Sequence, residues 1–170
     1  MSELFFTIGI DLQIPEILRE HKEFLHLLKK RIDIWDINQG VGDLVLATFG
    51  KPSVVEAYTA FINNWKSAKE AIKSTCHTRP AFAKFLENMA REHKGKLALD
   101  SLLIMPVQRI PRYELLLQTL LKHTDENHVD FTLLRDAQKE IHELAVKINC
   151  TERECMELEQ IESLIEGNLN

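Results

Sequence analysis

An all-α fold, an elongated multi-helix bundle, is what this sequence predicts, and three observations predict it. Apolar residues recur at intervals of three and four along most of the chain, the period of one face of a helix. Three of the five prolines (Pro15, Pro52 and Pro80) stand where such periodic runs begin, the place in a helix that proline tolerates best. No stretch alternates apolar and polar residues at the period of a strand, and no internal repeat or low-complexity segment interrupts the pattern.

The elements follow in order. From Pro15 to about Trp35, Ile14, Ile17, Leu18, Phe24, Leu25, Leu28 and Ile32 mark the apolar face of a first helix. Gly40 and Gly42 punctuate before a short helix over Val41–Phe49, and Gly50 before Lys51-Pro52 ends it. A helix over Pro52–Lys73 and another over Pro80–His93 come next, followed by Gly95. The segment from about Leu97 to His123 reads as a long helix that contains Pro106 and Pro111. Asp125-Glu126-Asn127-His128 makes a turn, and a last long helix starts near Asp130. Its Leu134, Ala137, Ile141, Leu144 and Ile148 step by 3, 4, 3 and 4, a seam against another helix. Thr151 with Glu154 fits either a capping box that restarts the helix after a break or two exposed mid-helix residues. Gly167 marks the end.

Composition narrows the function classes. At 170 residues the chain suits one domain, and 45% hydrophobic with 28% charged residues is ordinary for a globular protein. No apolar run approaches the ~20 residues of a membrane span, and no basic start precedes an apolar core as in a signal peptide. Cys76, Cys150 and Cys155 are odd in number with no C-x-x-C, which predicts a reducing, cytoplasmic setting rather than disulfides or a zinc ribbon. The net charge of −5 is uneven: residues 125–166 hold twelve Asp or Glu against four Lys or Arg, a net of −8. That acidic stretch is either a solvated helix face or a means of steering a basic partner. It is no nucleic-acid footprint, which needs basic residues interleaved with aromatics. Phosphate-cradling glycine loops, H-E-x-x-H and G-x-S-x-G are all missing, and His21 and His26 are five apart, off the i, i+4 spacing of helical metal ligands. No catalytic residue, metal ligand or cofactor site is predicted. A chain like this accelerates a process, if it does so at all, by binding.

The most informative segment is Leu102 to Thr124. It carries two prolines five apart and two arginines among apolar neighbours in what otherwise reads as a helix. An interior proline removes a backbone hydrogen bond and costs a helix about 3 kcal/mol, and arginine is almost never buried without a partner. A helix that serves structure alone gains nothing evident from either.

The run P-V-Q-R-I-P-R-Y-x-L-L-L-x-x-L-L-K-H-T over residues 106–124 resembles the third conserved region of Dbl-homology domains, the exchange-factor domains of Rho-family GTPases. Phe5-Phe6 through Ile34-Trp35, with Glu16-Ile17-Leu18 and Glu23-Phe24-Leu25, resembles the second region, and Val41-Gly42-Asp43-Leu44 the entry to the helix after it. The resemblance covers nearly the whole chain and implies one Dbl-homology domain over residues 1–166, with 167–170 a tail or the start of a linker. It implies a guanine nucleotide exchange factor, which binds both switch regions of a Rho-family GTPase, disturbs its magnesium and phosphate sites and stabilises the nucleotide-free form. Such catalysis is differential binding and needs no acid, base or nucleophile.

Carried over by the same motif, Arg112 takes the basic position that faces the second switch, and Asn149 in Val146-Lys147-Ile148-Asn149 matches the late-helix asparagine of the family. Leu116, Thr119, Leu120, His123 and Thr124 step along Arg112's helix and extend that face, with Leu120 in the region where family members choose between GTPases. Gln108 and Arg109 are open between interface and structure, and Arg109 has an acidic pairing partner as its structural alternative. Pro106, Val107 and Tyr113 resemble structural members of the motif, and Leu115, Leu116 and Leu117 are expected mostly in the core. The Pro111-Arg112-Tyr113-Glu114 context resembles Rho-directed members. One departure stands out: family domains open with a T-E-x-x-Y-V-x-x-L helix whose glutamate meets the first switch, and nothing in this sequence matches it, Glu3 included. The chain therefore reads as N-terminally truncated relative to the family, with the apolar seam under that helix left open, and a pleckstrin-homology domain is expected beside it in a longer parent. The alternative function is a non-catalytic helical interaction module that binds a GTPase or another partner without promoting exchange.

Overall fold

The structure, a computed structural model, describes residues 12–92 and 94–167, with side chains described to residue 149. Glu3 and Phe5-Phe6 lie outside the described residues. Six helices make up the described chain, with no strand among them: α1 (Ile14–Asp33), α2 (Gly42–Phe49), α3 (Pro52–Thr78), α4 (Pro80–Glu92), α5 (Leu99–Lys122) and α6 (Phe131–Gly167). The expected bundle of long helices is present.

Helix α6 is the spine. It packs along α2, α3 and α5, while α1 lies against α2 and α3, and α4 covers part of α3. The predicted seam is fully inward: Leu134, Ala137, Ile141, Leu144 and Ile148 are all buried, joined by Ala145. Opposite them stand Tyr58 and Phe61 of α3 and Ile110 of α5, among the largest side chains that lose all contact with solvent. Burial of each such side chain stabilises the fold by about 1.5–3 kcal/mol.

Element ends differ from expectation for local reasons. Helix α3 runs five residues beyond Lys73, to Thr78, because nothing stops it before Arg79. Arg79 precedes Pro80, whose ring disfavours helical geometry in the residue before it, and Arg79 is extended at φ −131°, ψ 87°. Helix α6 passes through Thr151 and Glu154 without a break, so the restart reading is wrong. Neither Pro106 nor Pro111 interrupts α5. Each leaves one carbonyl a turn earlier, that of Leu102 and that of Val107, without its helical N–H partner.

The glycines ahead of α2 serve approach rather than punctuation. The Asp130 carboxylate, from the turn before α6, accepts the N–H of Val41 at 2.7 Å and that of Gly42 at 3.1 and 3.2 Å. It thereby caps α2 from 88 residues away, and Asp130 itself is buried. A Cβ on Gly42 would lie 2.6 Å from the backbone of Leu133 and Leu134, and one on Gly40 would collide with the Asp130 side chain. A bidentate Arg31–Asp43 pair at 2.8 and 3.0 Å ties the end of α1 to α2.

The α1 periodicity resolves into two stripes. Ile17 and Phe24 face the core, with Ile14 and Leu28 packed against it, whereas Leu18, Leu25 and Ile32 step by seven along the outside and are half exposed. These three are corrected from the expected core face. An apolar stripe on α1 is thus open to solvent.

Candidate functional site

The site is assembled from the bottom of α5 upward. Leu103, Val107, Ile110 and Leu117 are its buried residues and fix its orientation. At 100° per residue the side opposite them carries Gln108, Arg112, Leu116, Thr119 and His123, and all five are exposed, as is Leu120 at the edge of that face. Thr124, just past the helix end, is half-buried. The local bonds are those of a helix surface: Thr119 Oγ1 donates to the Leu115 carbonyl at 2.9 Å, Thr124 Oγ1 to that of Leu120 at 2.8 Å, and His123 Nδ1 lies 2.8 Å from the Thr119 carbonyl. Arg112 makes one long contact, 3.5 Å to Gln108 Oε1, which leaves most of its guanidinium donors turned to solvent.

Asn149 is exposed on α6. Its relation to α5 follows from one contact and from helix geometry. His142 Nδ1 lies 2.7 Å from Glu114 Oε1 across the α5–α6 seam. Asn149 is seven residues beyond His142, about 10 Å along the axis and within about 20° of the same edge. Because α5 and α6 form a hairpin and run antiparallel, that step points toward Gln108, six residues before Glu114 on α5. Gln108 and Arg112 themselves lie about 120° and 160° around α5 from Glu114, on its outer side.

Tyr113 turns inward from it, and the exposed Arg109 lies against Tyr113. Arg109 Nε donates to the Tyr113 hydroxyl at 3.1 Å, and its guanidinium sits 4.8 Å from the centre of the Tyr113 ring. Its partner is thus an aromatic residue, not the acidic one expected as its structural alternative. Tyr113 packs with Phe24, Phe49 and His21. His21 lies with Nε2 2.7 Å from the Tyr58 hydroxyl and Nδ1 3.2 Å from that of Tyr113. Burial, with the Arg109 charge nearby, lowers its pKa to about 4, so the ring is neutral at pH 7, with one nitrogen donating and one accepting. The chain Tyr58–His21–Tyr113–Arg109 crosses α3, α1 and α5 and reaches the surface one turn from Arg112.

Of the leucines expected mostly in the core, only Leu117 is buried. Leu115 is 63% and Leu116 65% exposed, on Arg112's side of the helix. A run of three leucines has no phase of its own, and the phase is set by Ile110 and Leu117, seven apart. Leu115 is the member of this face that sequence reasoning missed; the Glu114–His142 contact, between residues 28 apart, ties α5 to α6 and no spacing rule joins them.

The exposed face is largely apolar with a cation at Arg112, which suits a protein partner better than a small molecule. Among the described residues no group of His, Cys, Asp or Glu is arranged to hold a metal, and no helix is long and apolar enough to cross a membrane.

Comparison with known proteins adds the following. The family model described as RhoGEF domain matches residues 8–149. Rho guanine nucleotide exchange factor 17 of Mus musculus is 47% identical over 148 residues, spanning 87% of this chain and 7% of its own length. Rho guanine nucleotide exchange factor osg-1 of Caenorhabditis elegans is 43% identical over 159 residues, 91% of this chain and 13% of its own. The chain thus spans a small part of these relatives. Among solved structures, the PDZ-RhoGEF DH/PH domains in complex with GTP-gamma-S activated RhoA superpose with a TM-score of 0.74 at 25% identity, over 88% of this chain and 42% of that one. The DH domain of FARP2 has the same fold, with a TM-score of 0.71 at 22% identity over 91% of this chain and 75% of that one.

Proposed function

The chain belongs to the RhoGEF domain family, and from that premise we propose that it is a guanine nucleotide exchange factor for a Rho-family small GTPase. The proposed mechanism is binding. The α5–α6 surface engages the GTPase switches through Arg112, Asn149, Gln108, Leu116, Thr119, Leu120, His123 and Thr124, and holds the nucleotide-free state more tightly than the GDP-bound one. That difference is what speeds GDP release, so the chain regulates a GTPase without acid, base or covalent chemistry of its own. The observation that carries the reading is Arg112: a cation with little local pairing, amid exposed leucines, at the motif position that is basic in the family. A Rho-type GTPase is the proposed partner, in keeping with the solved complex of PDZ-RhoGEF with RhoA. A cytoplasmic setting and an adjacent pleckstrin-homology domain in a longer parent complete the reading.

A second reading, a module that binds without exchange, is favoured by the open apolar stripe Leu18–Leu25–Ile32, which offers a surface to another partner. One assay separates them: release of a fluorescent GDP analogue from Rho, Rac and Cdc-type GTPases, with and without the chain. Acceleration on one of them, reduced about tenfold or more by Arg112→Glu, is the expected result. Binding of a GTPase without acceleration would establish the second reading instead.

A further inference from the structure

Two arginines stand one turn apart on the exposed side of α5, and neither is neutralised. Arg109 lies about 60° round the helix from Arg112 and about 4.5 Å along it, so the two occupy adjacent turns of one face. Like charges at such spacing repel and weaken a helix slightly. A carboxylate nearby would relieve that, yet among the described residues neither arginine forms an ion pair. Arg112 reaches Gln108 Oε1 at 3.5 Å, and Arg109 reaches the Tyr113 hydroxyl at 3.1 Å.

Arg109 is the more firmly held of the two. Its Nε donates to that hydroxyl, and its guanidinium lies 4.8 Å from the centre of the Tyr113 ring. The hydroxyl is itself fixed, because His21 Nδ1 lies 3.2 Å from it and His21 Nε2 lies 2.7 Å from the Tyr58 hydroxyl. A guanidinium carries five N–H donors. The bond at Nε uses one, and the two terminal amines keep the rest, on a residue that stays exposed. Side by side, those amines match the two oxygens of a carboxylate. An arginine set in place before its partner arrives also loses less rotamer freedom on binding.

We propose that Arg109 is a second anchoring residue of the partner surface, its terminal amines taking an Asp or Glu carboxylate of the GTPase in a bidentate bond beside Arg112. The inference rests on the exchange reading above and adds to it a residue and a charge requirement on the partner. Tyr113 is then a positioning residue, which aims the guanidinium and does not itself meet the GTPase.

The test titrates wild type, Arg109→Gln and Arg109→Lys against Rho, Rac and Cdc-type GTPases loaded with a fluorescent GDP analogue. Maximal rate and half-maximal concentration are taken separately. On the GTPase that wild type serves, Arg109→Gln should raise the half-maximal concentration about fivefold or more and leave the maximal rate within about twofold. Arg109→Lys should recover only part of the loss, since lysine is a point charge without the fork. The gap between wild type and Arg109→Gln should narrow from about 50 to about 300 mM salt, as screening weakens the pair. Urea unfolding of the variants exposes a merely internal role. A half-maximal concentration equal to that of wild type, a full recovery by Arg109→Lys, or a loss that follows stability and not salt overturns the inference. If wild type binds a GTPase without accelerating it, the same criteria apply to the dissociation constant for the nucleotide-free GTPase. If wild type neither binds nor accelerates any of the three, the exchange reading falls and this inference with it. Wild-type exchange with an indifferent Arg109→Gln removes this inference alone.

Discussion

His21 shows how one side chain can bind three helices and charge the fold for it in acid. The folded ring titrates at about 4, below the roughly 6.5 of an unfolded histidine. The unfolded chain therefore takes up a proton first as pH falls, so the contribution of His21 to stability is complete above about 6.5 and is lost progressively toward 4. With allowance for its partial exposure, the loss between pH 7.5 and 5 is about 1–2 kcal/mol. His21→Phe should flatten that part of the pH dependence, measured as urea unfolding midpoints at the two pH values. The same substitution breaks the polar chain from Tyr58 to Arg109. Sequence inspection gave His21 no role, since a ring between two phenols is a matter of tertiary placement and no motif announces it. Arg112 stands out in the sequence because its motif is local and long. The role of Arg109 does not, because its partner is an aromatic ring that periodicity does not bring to mind.

Among elements, the helices were readable wherever a buried face spans several turns, as along α6, and ambiguous where a run is short or uniformly apolar. Leu18, Leu25 and Ile32 obey the helical period as well as Ile17, Phe24 and Leu28 do, and only packing separates the two stripes. Helix α2 is the element least legible in its own residues. Eight residues are too few for an isolated helix to persist, and its first turn has no side-chain cap of its own. Asp130 supplies the missing acceptor from across the fold. Asp130→Ala strips a buried pair of N–H groups of their partner and should cost about 1–3 kcal/mol in urea unfolding. Gly42→Ala should cost a similar amount or more, since the Cβ meets the α6 backbone rather than a side chain that could swing away.

At the scale of the molecule, the described residues form one core, an open apolar stripe on α1, and a proposed partner surface on α5 and α6. The three regions use different physics: the core excludes water, the stripe leaves large apolar groups wet, and the partner surface sets a cation among exposed leucines. The dependence of α2 on Asp130 reaches beyond the finished fold to the order in which a ribosome delivers it. Synthesis runs from N- to C-terminus, yet α2 and α3 bury their inner faces against a helix that begins at Phe131, and α1 packs on those two. For most of translation those faces have nothing to close on, and the cap of α2 has not been made. The segment before α6 is thus exposed to chaperones and proteases until α6 arrives, and folding of this unit is late and abrupt rather than stepwise. Ribosome-stalled chains ending at Val129 should be cut readily by a protease within α1–α3, and chains carried past Ile148 and clear of the exit tunnel should resist it.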